Sequence, residues 1–416
     1  MRRVGLAVLA VLLVPPALRA QGFALQDGDR VVFYGDSITQ DGQYARSVEL
    51  YVATRFPEWT VTFQNAGVGG DKVSGGWAGT VDVRLDRDVI AYKPTVVTVM
   101  LGMNDGNYRA FDQATYDAYT QGLKRIVARL KEALPGVRLT LIQPSPYDDV
   151  TRPPGFPEGY NGVLKKFGAF VQELGRAEGA TVVDLNTPLV DGLLKVSKAN
   201  APLARQIVPD RVHPGAAGHL VMAAALLRAW NAPPAVTRVE IDGTAAAHLV
   251  HAENTEVTGL AAKGPYLEWT QNDKALPLPV NFKDGEVELA QLAGAGLDGL
   301  DQQILKITGL TGRCEVLIDG AVVGKFTAQE LAVGVNLALH DTPMTKQAAP
   351  VGWHTGDRHD LELTRRQLLV AAASDAKMKD AAGALAALDA KMQQERRTAA
   401  KPSSRHYEVR RPYSLR

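Results

Sequence analysis

The sequence predicts an α/β domain, with a parallel sheet covered by helices on both faces, followed by a β-rich module and C-terminal helices. From Gly28 to about Trp230, short β-branched runs alternate with helical patterns. This alternation is typical of a parallel sheet between layers of helices. Beyond Pro233-Pro234 the strand-like runs follow one another, and an alanine-rich helical pattern begins near Asp357. The length of 416 residues fits two domains, or one domain with a large extension.

In the first region, strands are predicted where β-branched residues form short apolar runs bounded by turn residues. The predicted strands are Val31–Tyr34, Val61–Gln64, Val96–Leu101, Leu139–Gln143 and Val182–Leu185. The predicted helices are Gln43–Phe56, Gln113–Leu134, Tyr160–Gly179 and Ala216–Trp230. The stretch Pro144 to Gly159 is too rich in proline and glycine for a regular element. Because it follows a strand, it is either a loop that borders a site or a plain surface connection.

The second region is predicted to be mostly β-structure and then helix. Its predicted strands are Val236–Ile241, Tyr266–Thr270, Gln303–Thr308, Glu315–Ile318 and Val322–Phe326. Asp319-Gly320 between the last two runs predicts a two-residue hairpin turn, and Thr327-Ala-Gln-Glu330 predicts a capping box. The later helical pattern places Leu385, Leu388 and Met392 on one face, and the basic tail after Ala400 is predicted to be frayed and solvated.

Composition limits the classes of partner. The chain has 46 basic and 45 acidic residues, a balance that gives no reason to expect binding to nucleic acid or to an anionic membrane. The single cysteine, Cys314, excludes an internal disulfide. The sequence alone leaves the oligomeric state open.

The N-terminus has the pattern of a signal peptide. Arg2 and Arg3 precede an unbroken apolar run from Val4 to Val14, and a small residue is available for cleavage near Ala20. The apolar run is too short to span a bilayer, and no later stretch reaches the roughly 18 apolar residues that a membrane helix needs. The sequence therefore predicts an exported protein, periplasmic or extracellular, without a stable membrane anchor.

A strand-to-helix turn in the stretch Arg30-Val-Val-Phe-Tyr-Gly-Asp-Ser-Ile-Thr39 presents Ser37 as a candidate nucleophile. Such a turn exposes the hydroxyl at the C-terminal edge of the sheet and points the serine N–H into the same space. The alternative is that Ser37 only caps the following helix, and this stretch alone does not decide between the two.

The segment Asp210-Arg-Val-His213 supplies a candidate base and its orienting acid. A serine nucleophile needs both, and two side chains three residues apart in one turn can point the same way. Asp210 is equally compatible with helix capping. His219 lies inside the following predicted helix and is interpreted as structural.

Two further turns offer donors for a tetrahedral oxyanion. Asn65-Ala-Gly-Val-Gly-Gly-Asp71 follows the second strand, and its glycines allow the N–H of Gly70 to face a ligand. A phosphate cradle is disfavoured, because Lys72 replaces the last glycine of the dinucleotide fingerprint. Asn104, in Leu101-Gly-Met-Asn-Asp105, can offer a side-chain amide, although such residues are also common in turns.

Taken together and in this order, the four stretches resemble the SGNH (GDSL) hydrolase family over about residues 28 to 230. The resemblance implies a flavodoxin-like three-layer αβα fold and ester hydrolysis without metal or cofactor. It also implies Ser37 as nucleophile, His213 as base and Asp210 as its orienter. The amide of Ser37, Gly70 and Asn104 would then form the oxyanion hole.

The expected organisation is a signal peptide (1–20), a hydrolase domain (21–232), a β-rich module (235–345), a helical segment (346–400) and a flexible basic tail (401–416). The region after residue 234 resembles the extension on some exported bacterial members of the family. It could bind glycan, roof the active site or cover an apolar face. His354, Asp357, His359 and Asp360 match no known metal-site spacing and are interpreted as a surface loop.

The expected function is that of an exported serine esterase acting through an acyl-enzyme, with acetylated polysaccharide or related short-acyl esters as substrates. One alternative is a lipid or thioester hydrolase, which would use the same residues with a different pocket. Another is a glycan-binding protein whose hydrolase domain has lost its activity.

Overall fold

The computed structural model describes residues 22–410, except residues 265, 373 and 374. The predicted signal peptide and residues 411–416 lie outside the described residues. Within the described part of the chain, no helix combines the length and apolar character that crossing a membrane requires.

Five parallel strands form the sheet of the first domain, as the sequence predicts. They are β1 (Arg30–Gly35), β2 (Thr62–Gly67), β3 (Val96–Met100), β4 (Arg138–Ile142) and β5 (Thr181–Val183). Their spatial order is β2-β1-β3-β4-β5, and every neighbouring pair is parallel. This is the flavodoxin-like order, in which ligands bind beyond the carboxyl ends of the strands where the chain reverses its direction across the sheet, here between β1 and β3.

Helices cover both faces of this sheet, with α2 packing against α8 and α4 against α5. The helices are α1 (Ser37–Asp41), α2 (Gln43–Arg55), α3 (Val81–Asp88), α4 (Gln113–Ala133), α5 (Gly159–Glu178), α6 (Asn186–Ala199), α7 (Ala201–Ala204) and α8 (Ala216–Ala229). The four predicted helices are present. Helix α6 is not among the predicted helices, because Pro188 and Gly192 interrupt its pattern. Helix α3 is not predicted either, since it is short and rich in charge.

Two further sheets form the β-rich module. Their strands are β6 (Ala235–Asp242), β7 (His248–Glu253), β8 (Thr255–Lys263), β9 (Tyr266–Asp273), β10 (Gln302–Thr308), β11 (Arg313–Ile318), β12 (Ala321–Thr327), β13 (Val335–Asn336) and β14 (Arg405–Arg410). One sheet has the order β8-β9-β14-β11-β12 and the other β13-β10-β6-β7. Side chains from both sheets, among them Ile241, Trp269 and Ile307, share one buried apolar core.

The predicted hairpin and capping box are confirmed. Ile318 pairs with Ala321, while Asp319 and Gly320 have φ values of 51° and 79°, as a two-residue hairpin turn of this kind requires. The Thr327 side chain and Glu330 exchange hydrogen bonds with each other's backbone at the start of α10 (Ala328–Val333).

The prediction of a flexible tail is wrong for residues 405–410, which form strand β14 in the centre of a sheet. Tyr407 and Val409 point into the core, and the Tyr407 ring stacks on Trp269 with 5.1 Å between centroids. The charged residues that suggested a solvated tail alternate with these apolar ones, so a half-buried strand accounts for the pattern.

The C-terminal helices are α11 (Pro343–Ala371) and α12 (Ala376–Ala400), and α9 (Gly285–Leu292) lies earlier in the extension. The stretch from His354 to Asp360 belongs to α11, so the predicted surface loop is wrong. The helical pattern around Leu385, Leu388 and Met392 is confirmed by α12, but Leu388 on that face is 45% exposed. The buried positions of α12 include Ala382, Asp389, Arg396 and Ala400.

The extension packs closely on the α/β domain. Helix α11 contacts α2 and β2, and α9 contacts α8. Leu278 and Leu289 belong to the apolar cluster that surrounds the parallel sheet. Arg55 of α2 forms a buried salt bridge of 3.0 Å with Asp301. The extension therefore covers one side of the α/β domain, and the boundary near residue 233 is crossed by both apolar and charged contacts.

Candidate active site

Ser37, His213 and Asp210 form a continuous hydrogen-bonded chain beyond the carboxyl end of β1. The Oγ of Ser37 lies 2.8 Å from Nε2 of His213, and Nδ1 of His213 lies 2.6 Å from Oδ2 of Asp210. This order of hydroxyl, imidazole and carboxylate allows His213 to accept the serine proton while Asp210 orients the ring. The three candidates chosen from the sequence therefore meet, although they come from two turns that are distant along the chain.

The serine turn is held by Asp36. Its carboxylate accepts a hydrogen bond of 3.0 Å from the N–H of Ile38 and caps helix α1. Asp36 is buried, and this burial raises its pKa to about 7. Because Asp36 supplies the cap, Ser37 stands at the first position of the helix with its side chain free to reach His213.

The histidine turn is held by backbone bonds to Asp210. Oδ1 of this carboxylate accepts bonds from the N–H groups of Val212 and His213, at 2.9 and 2.7 Å. Partial burial would raise the pKa of Asp210, but the hydrogen bonds from His213 and Val212 hold it below its usual value. The carboxylate thus stays ionised, as an orienting acid must.

The loop between β4 and α5 borders this turn, which decides between the two interpretations of Pro144 to Gly159. Arg211 has a φ of 77° and is fixed from that loop. Its guanidinium contacts Asp149 at 2.9 Å, and its carbonyl accepts from the N–H of Asp148 at 2.9 Å. The loop therefore supports the turn that carries Asp210 and His213.

The glycine-rich turn after β2 faces the serine. A Cβ added to Gly69 would lie 3.9 Å from the Cβ of Ser37. The Gly69 N–H donates to Oε1 of Gln40 at 2.6 Å, and Gly70 has a φ of 77° that favours glycine. Gly70 is exposed, and in the described part of the chain its N–H has no protein acceptor. This donor is therefore available to a ligand beside Ser37.

The Asn104 amide is fixed at both ends. Nδ2 donates to the carbonyl of Asp71 at 3.1 Å, and Oδ1 accepts from the Tyr108 hydroxyl at 2.9 Å. These two bonds define which end of the amide carries the hydrogens. The second N–H of Nδ2 remains for a ligand oxygen, in keeping with the predicted oxyanion role.

Buried charges support this side of the site. The Asp71 carboxylate lies 2.9 Å from Nε of the buried Arg84, which also bonds Asp88 and donates to the carbonyl of Ala66. Oδ1 of Asp105 accepts from the N–H of Val73 at 2.9 Å. The Asp105 bond joins the loop after β3 to the loop after β2, and the Arg84 bonds fix the loop after β2 to helix α3 and strand β2, so that Gly70 and Asn104 keep a defined separation.

His219 has the structural place that the sequence suggests. It is buried beside Tyr44, whose N–H donates to His219 Nδ1 at 3.3 Å, and burial lowers its pKa to about 4. His359 of α11 lies close to Gly42 rather than near the serine. Among the described residues, no three His, Cys, Asp or Glu side chains are grouped as a metal ion would require.

Three residues beside the site escaped the sequence analysis: Gln40, Trp77 and Tyr108. Trp77 donates its indole N–H to the carbonyl of Gly69 at 2.9 Å, and Tyr108 fixes Asn104. The only sequence signal for Trp77 and Tyr108 is that each is an aromatic residue within a few positions of a candidate oxyanion turn. None of the three residues belongs to a periodic pattern or to a motif with a characteristic spacing.

The fold and this arrangement define a serine hydrolase of the α/β class. Residues 33–221 match the GDSL-like lipase/acylhydrolase family, and the α/β domain of this chain belongs to that family of serine ester hydrolases. This confirms the resemblance drawn from the four stretches.

Two similar proteins show how far the likeness extends. The chain is 26% identical over 226 residues to an acetylxylan esterase of Geobacillus stearothermophilus, covering 48% of this chain and 93% of the relative. A gut microbial diltiazem-metabolizing enzyme has a similar structure, with a TM-score of 0.83 and 25% identity over 93% of this chain and 98% of the other. The second likeness includes the extension, so the whole arrangement of domain and extension occurs in another enzyme.

Proposed function

We propose that this protein is an exported esterase that removes acetyl or other short acyl groups from polysaccharide. The hydrogen-bonded chain from Ser37 through His213 to Asp210 carries the proposal for the chemistry. The likeness to an acetylxylan esterase supports the acetylated glycan as substrate. The signal-peptide pattern at residues 1–20 supports export.

In the proposed mechanism, Ser37 Oγ attacks the ester carbonyl carbon while its proton passes to Nε2 of His213. The N–H groups of Ser37 and Gly70 and the amide of Asn104 stabilise the oxyanion of the tetrahedral intermediate. This intermediate collapses to an acyl-enzyme as His213 protonates the leaving alcohol. Water then attacks the acyl carbonyl, giving its proton to His213, and the second collapse returns the proton to Ser37 and releases the acid.

The exposure of the site suits a polymeric substrate. The side chains of His213 and Asp210 are 43% and 56% exposed, so the leaving-group side of the serine is open to solvent. A sugar within a chain can approach such an open edge without being enclosed. A long acyl chain would need an apolar tunnel to gain from burial.

The test is turnover of the purified protein on acetylated xylan and on aryl esters of increasing acyl length. We expect release of acetate from the polymer and a steep fall in kcat/KM beyond short acyl groups. A preference for long acyl chains or thioesters would instead support the lipid or thioester hydrolase. Binding of glycan without any ester turnover would support the glycan-binding protein.

Two further measurements address the remaining parts of the proposal. Chelators should leave turnover intact, since every step uses side-chain and backbone groups of this chain. Strong inhibition that one added metal reverses would contradict the metal-free mechanism. N-terminal sequencing of the protein recovered from outside the cytoplasm should begin close to residue 21, and an uncleaved cytoplasmic product would contradict export.

A further inference from the structure

An exposed tryptophan stands beside the candidate nucleophile. Trp77 is 71% exposed. It lies at the tip of a small hairpin in which Gly75 pairs with Thr80 and Gly76 pairs with Gly79. Leaving so large an apolar side chain in water forfeits the stabilisation that burial would bring. Single exposed apolar residues are common on protein surfaces, so it is the position of Trp77 close to Ser37 that makes it a candidate contact for substrate.

The hairpin presents this ring rigidly. Ala78, the other tip residue, is buried, and its carbonyl accepts a hydrogen bond of 3.0 Å from Arg87. Gly75 and Gly79 have φ values of 90° and 129°, and added side chains there would collide with the opposite strand or with Val83. The tip therefore has little freedom to fold Trp77 away from solvent.

One hydrogen bond connects the ring to the reacting centre. The indole N–H donates to the carbonyl of Gly69 at 2.9 Å, and a Cβ added to Gly69 would lie 3.9 Å from the Cβ of Ser37, so this turn passes beside the serine. Because that bond uses the single donor of the indole, the ring has only its apolar faces left to offer a ligand. A ligand at this position must therefore present a flat, largely apolar surface beside an ester.

We propose that Trp77 forms a sugar-stacking subsite, in which a ring face of the indole packs against the pyranose that carries the scissile ester. A pyranose has such a surface, formed by its axial C–H groups, while its hydroxyls remain at the edge in water. The inference rests on the proposed function and adds to it a residue that selects the alcohol part of the substrate. Aromatic side chains with a fixed polar end suit this role, because little conformational freedom is lost on binding.

The test compares an ester on a sugar with an ester that has no ring. Trp77→Ala and Trp77→Phe are assayed on acetylated xylo-oligosaccharides and on ethyl acetate. In Trp77→Ala we expect the KM for the oligosaccharide to rise on the order of tenfold to a hundredfold, with kcat changed by less than about threefold. The kcat/KM for ethyl acetate should stay within about twofold of wild type, since this ester cannot stack.

Trp77→Phe separates stacking from positioning. It keeps an aromatic face and loses the N–H bond to Gly69, so under the proposal it retains most of the affinity for the oligosaccharide. If both variants lose ethyl acetate turnover equally, Trp77 positions the Gly69-Gly70 turn and the stacking proposal is wrong. An unchanged KM for the oligosaccharide in Trp77→Ala would also overturn it.

Failure of the proposed function gives a different result. A wild-type enzyme that hydrolyses ethyl acetate but no acetylated oligosaccharide would refute both the glycan substrate and the subsite, and leave the Ser37 chemistry standing. A wild-type enzyme active on both substrates, with the Trp77→Ala defect absent, refutes the subsite alone. Thermal unfolding of each variant should match wild type, because the side chain is exposed.

Discussion

Charged residues differ in solvent exposure between two regions of the molecule. One is the catalytic edge, the end of the parallel sheet that carries Ser37, Asp210 and His213, and the other is the interface between α2 and the C-terminal helices α11 and α12. At the catalytic edge, the side chains of His213 and Asp210 are about half exposed, so that substrate and water can reach them. At the interface, Arg358 of α11 and Arg396 of α12 both contact the carboxylate of Glu49 on α2, and all three are buried. The catalytic edge requires access to solvent, whereas the charge cluster at the interface depends on the exclusion of solvent.

This difference predicts which property a substitution will change. Nε of Arg358 also contacts Asp389 at 2.6 Å, so two arginines and two carboxylates balance one another in a buried cluster. Burial alone would raise the pKa of Glu49, but Arg358 and Arg396 hold it below its usual value. Changes at the catalytic edge should therefore lower turnover with little effect on folding, while changes at the interface should lower stability with little effect on the chemistry.

The largest expected effect is that of Ser37→Ala on turnover. Without the proposed nucleophile, kcat should fall by about four to six orders of magnitude, because the residues of a triad act as a unit. Thermal unfolding should barely change, since Asp36 supplies the helix cap. Ser47→Ala, which removes a hydroxyl bonded to the carbonyl of Gln43, is the matched control and should keep full activity. Retention of more than a tenth of the activity by Ser37→Ala would place the nucleophile elsewhere.

The second prediction concerns Glu49→Gln at the interface. Removing this charge leaves Arg358 with Asp389 and, within the described residues, leaves the buried Arg396 without a carboxylate contact, which should lower the free energy of unfolding by about 3–5 kcal/mol. Denaturant unfolding measures this change, and kcat per folded molecule should stay close to wild type.

The pH dependence of the free energy of unfolding gives a second measurement of the same contact. Because the folded pKa of Glu49 is lowered, its contribution is complete above the usual glutamate pKa and is lost as pH falls through the lowered value.

The control for this prediction is Glu58→Gln. Glu58 also joins the hydrolase domain to the extension, through an exposed contact of 3.5 Å with Lys401. An exposed pair of this kind contributes about 0–1 kcal/mol. If Glu49→Gln costs no more than Glu58→Gln, burial of the charges does not stabilise the interface and the contrast with the catalytic edge fails.

The third prediction concerns Asn104, the proposed oxyanion donor. Asn104→Ala should lower kcat roughly a hundredfold to a thousandfold with little change in KM, because the amide matters mainly when charge develops on the oxygen. Steady-state kinetics on a short aryl ester measures both parameters. A change confined to KM would mean that Asn104 binds substrate instead.

The two regions also differ in how far the sequence predicts them. Ser37, Gly70 and Asn104 each follow a strand of one parallel sheet, and Asp210 lies three residues before His213. The topology of the sheet brings strand ends together, so local motifs were sufficient to predict which residues meet. Trp77 gave no such signal, since a single tryptophan among glycines has neither periodicity nor a spaced partner.

The interface could not be predicted because its contacts join distant parts of the chain. Glu49 and Arg358 are 309 positions apart, and each alone has the pattern of a charged residue on a solvated helix face. Strand β14 was missed for a similar reason, as Tyr407 and Val409 alternate with charged residues in a basic segment. Only the partner surface determines that Asp389 and Arg396 are buried while Leu388 is exposed.

The smallest effect expected is that of Tyr108→Phe, and it tests how finely the catalytic edge is organised. The hydroxyl donates to Oδ1 of Asn104, and burial with nearby Asp36 raises the pKa of Tyr108 to about 12, so it remains a donor at neutral pH. Its loss should lower kcat by about two- to tenfold, the value of one hydrogen bond, with KM unchanged. Tyr147→Phe, on a ring whose centroid lies 6.0 Å from that of Tyr108, is the control, and its kcat should stay within about twofold of wild type.

In an Asn104→Ala background, Tyr108→Phe should cause no further loss of kcat, because the hydroxyl acts only through that amide. An additional loss in the double variant, or a raised KM in the single one, would show that Tyr108 contacts substrate directly.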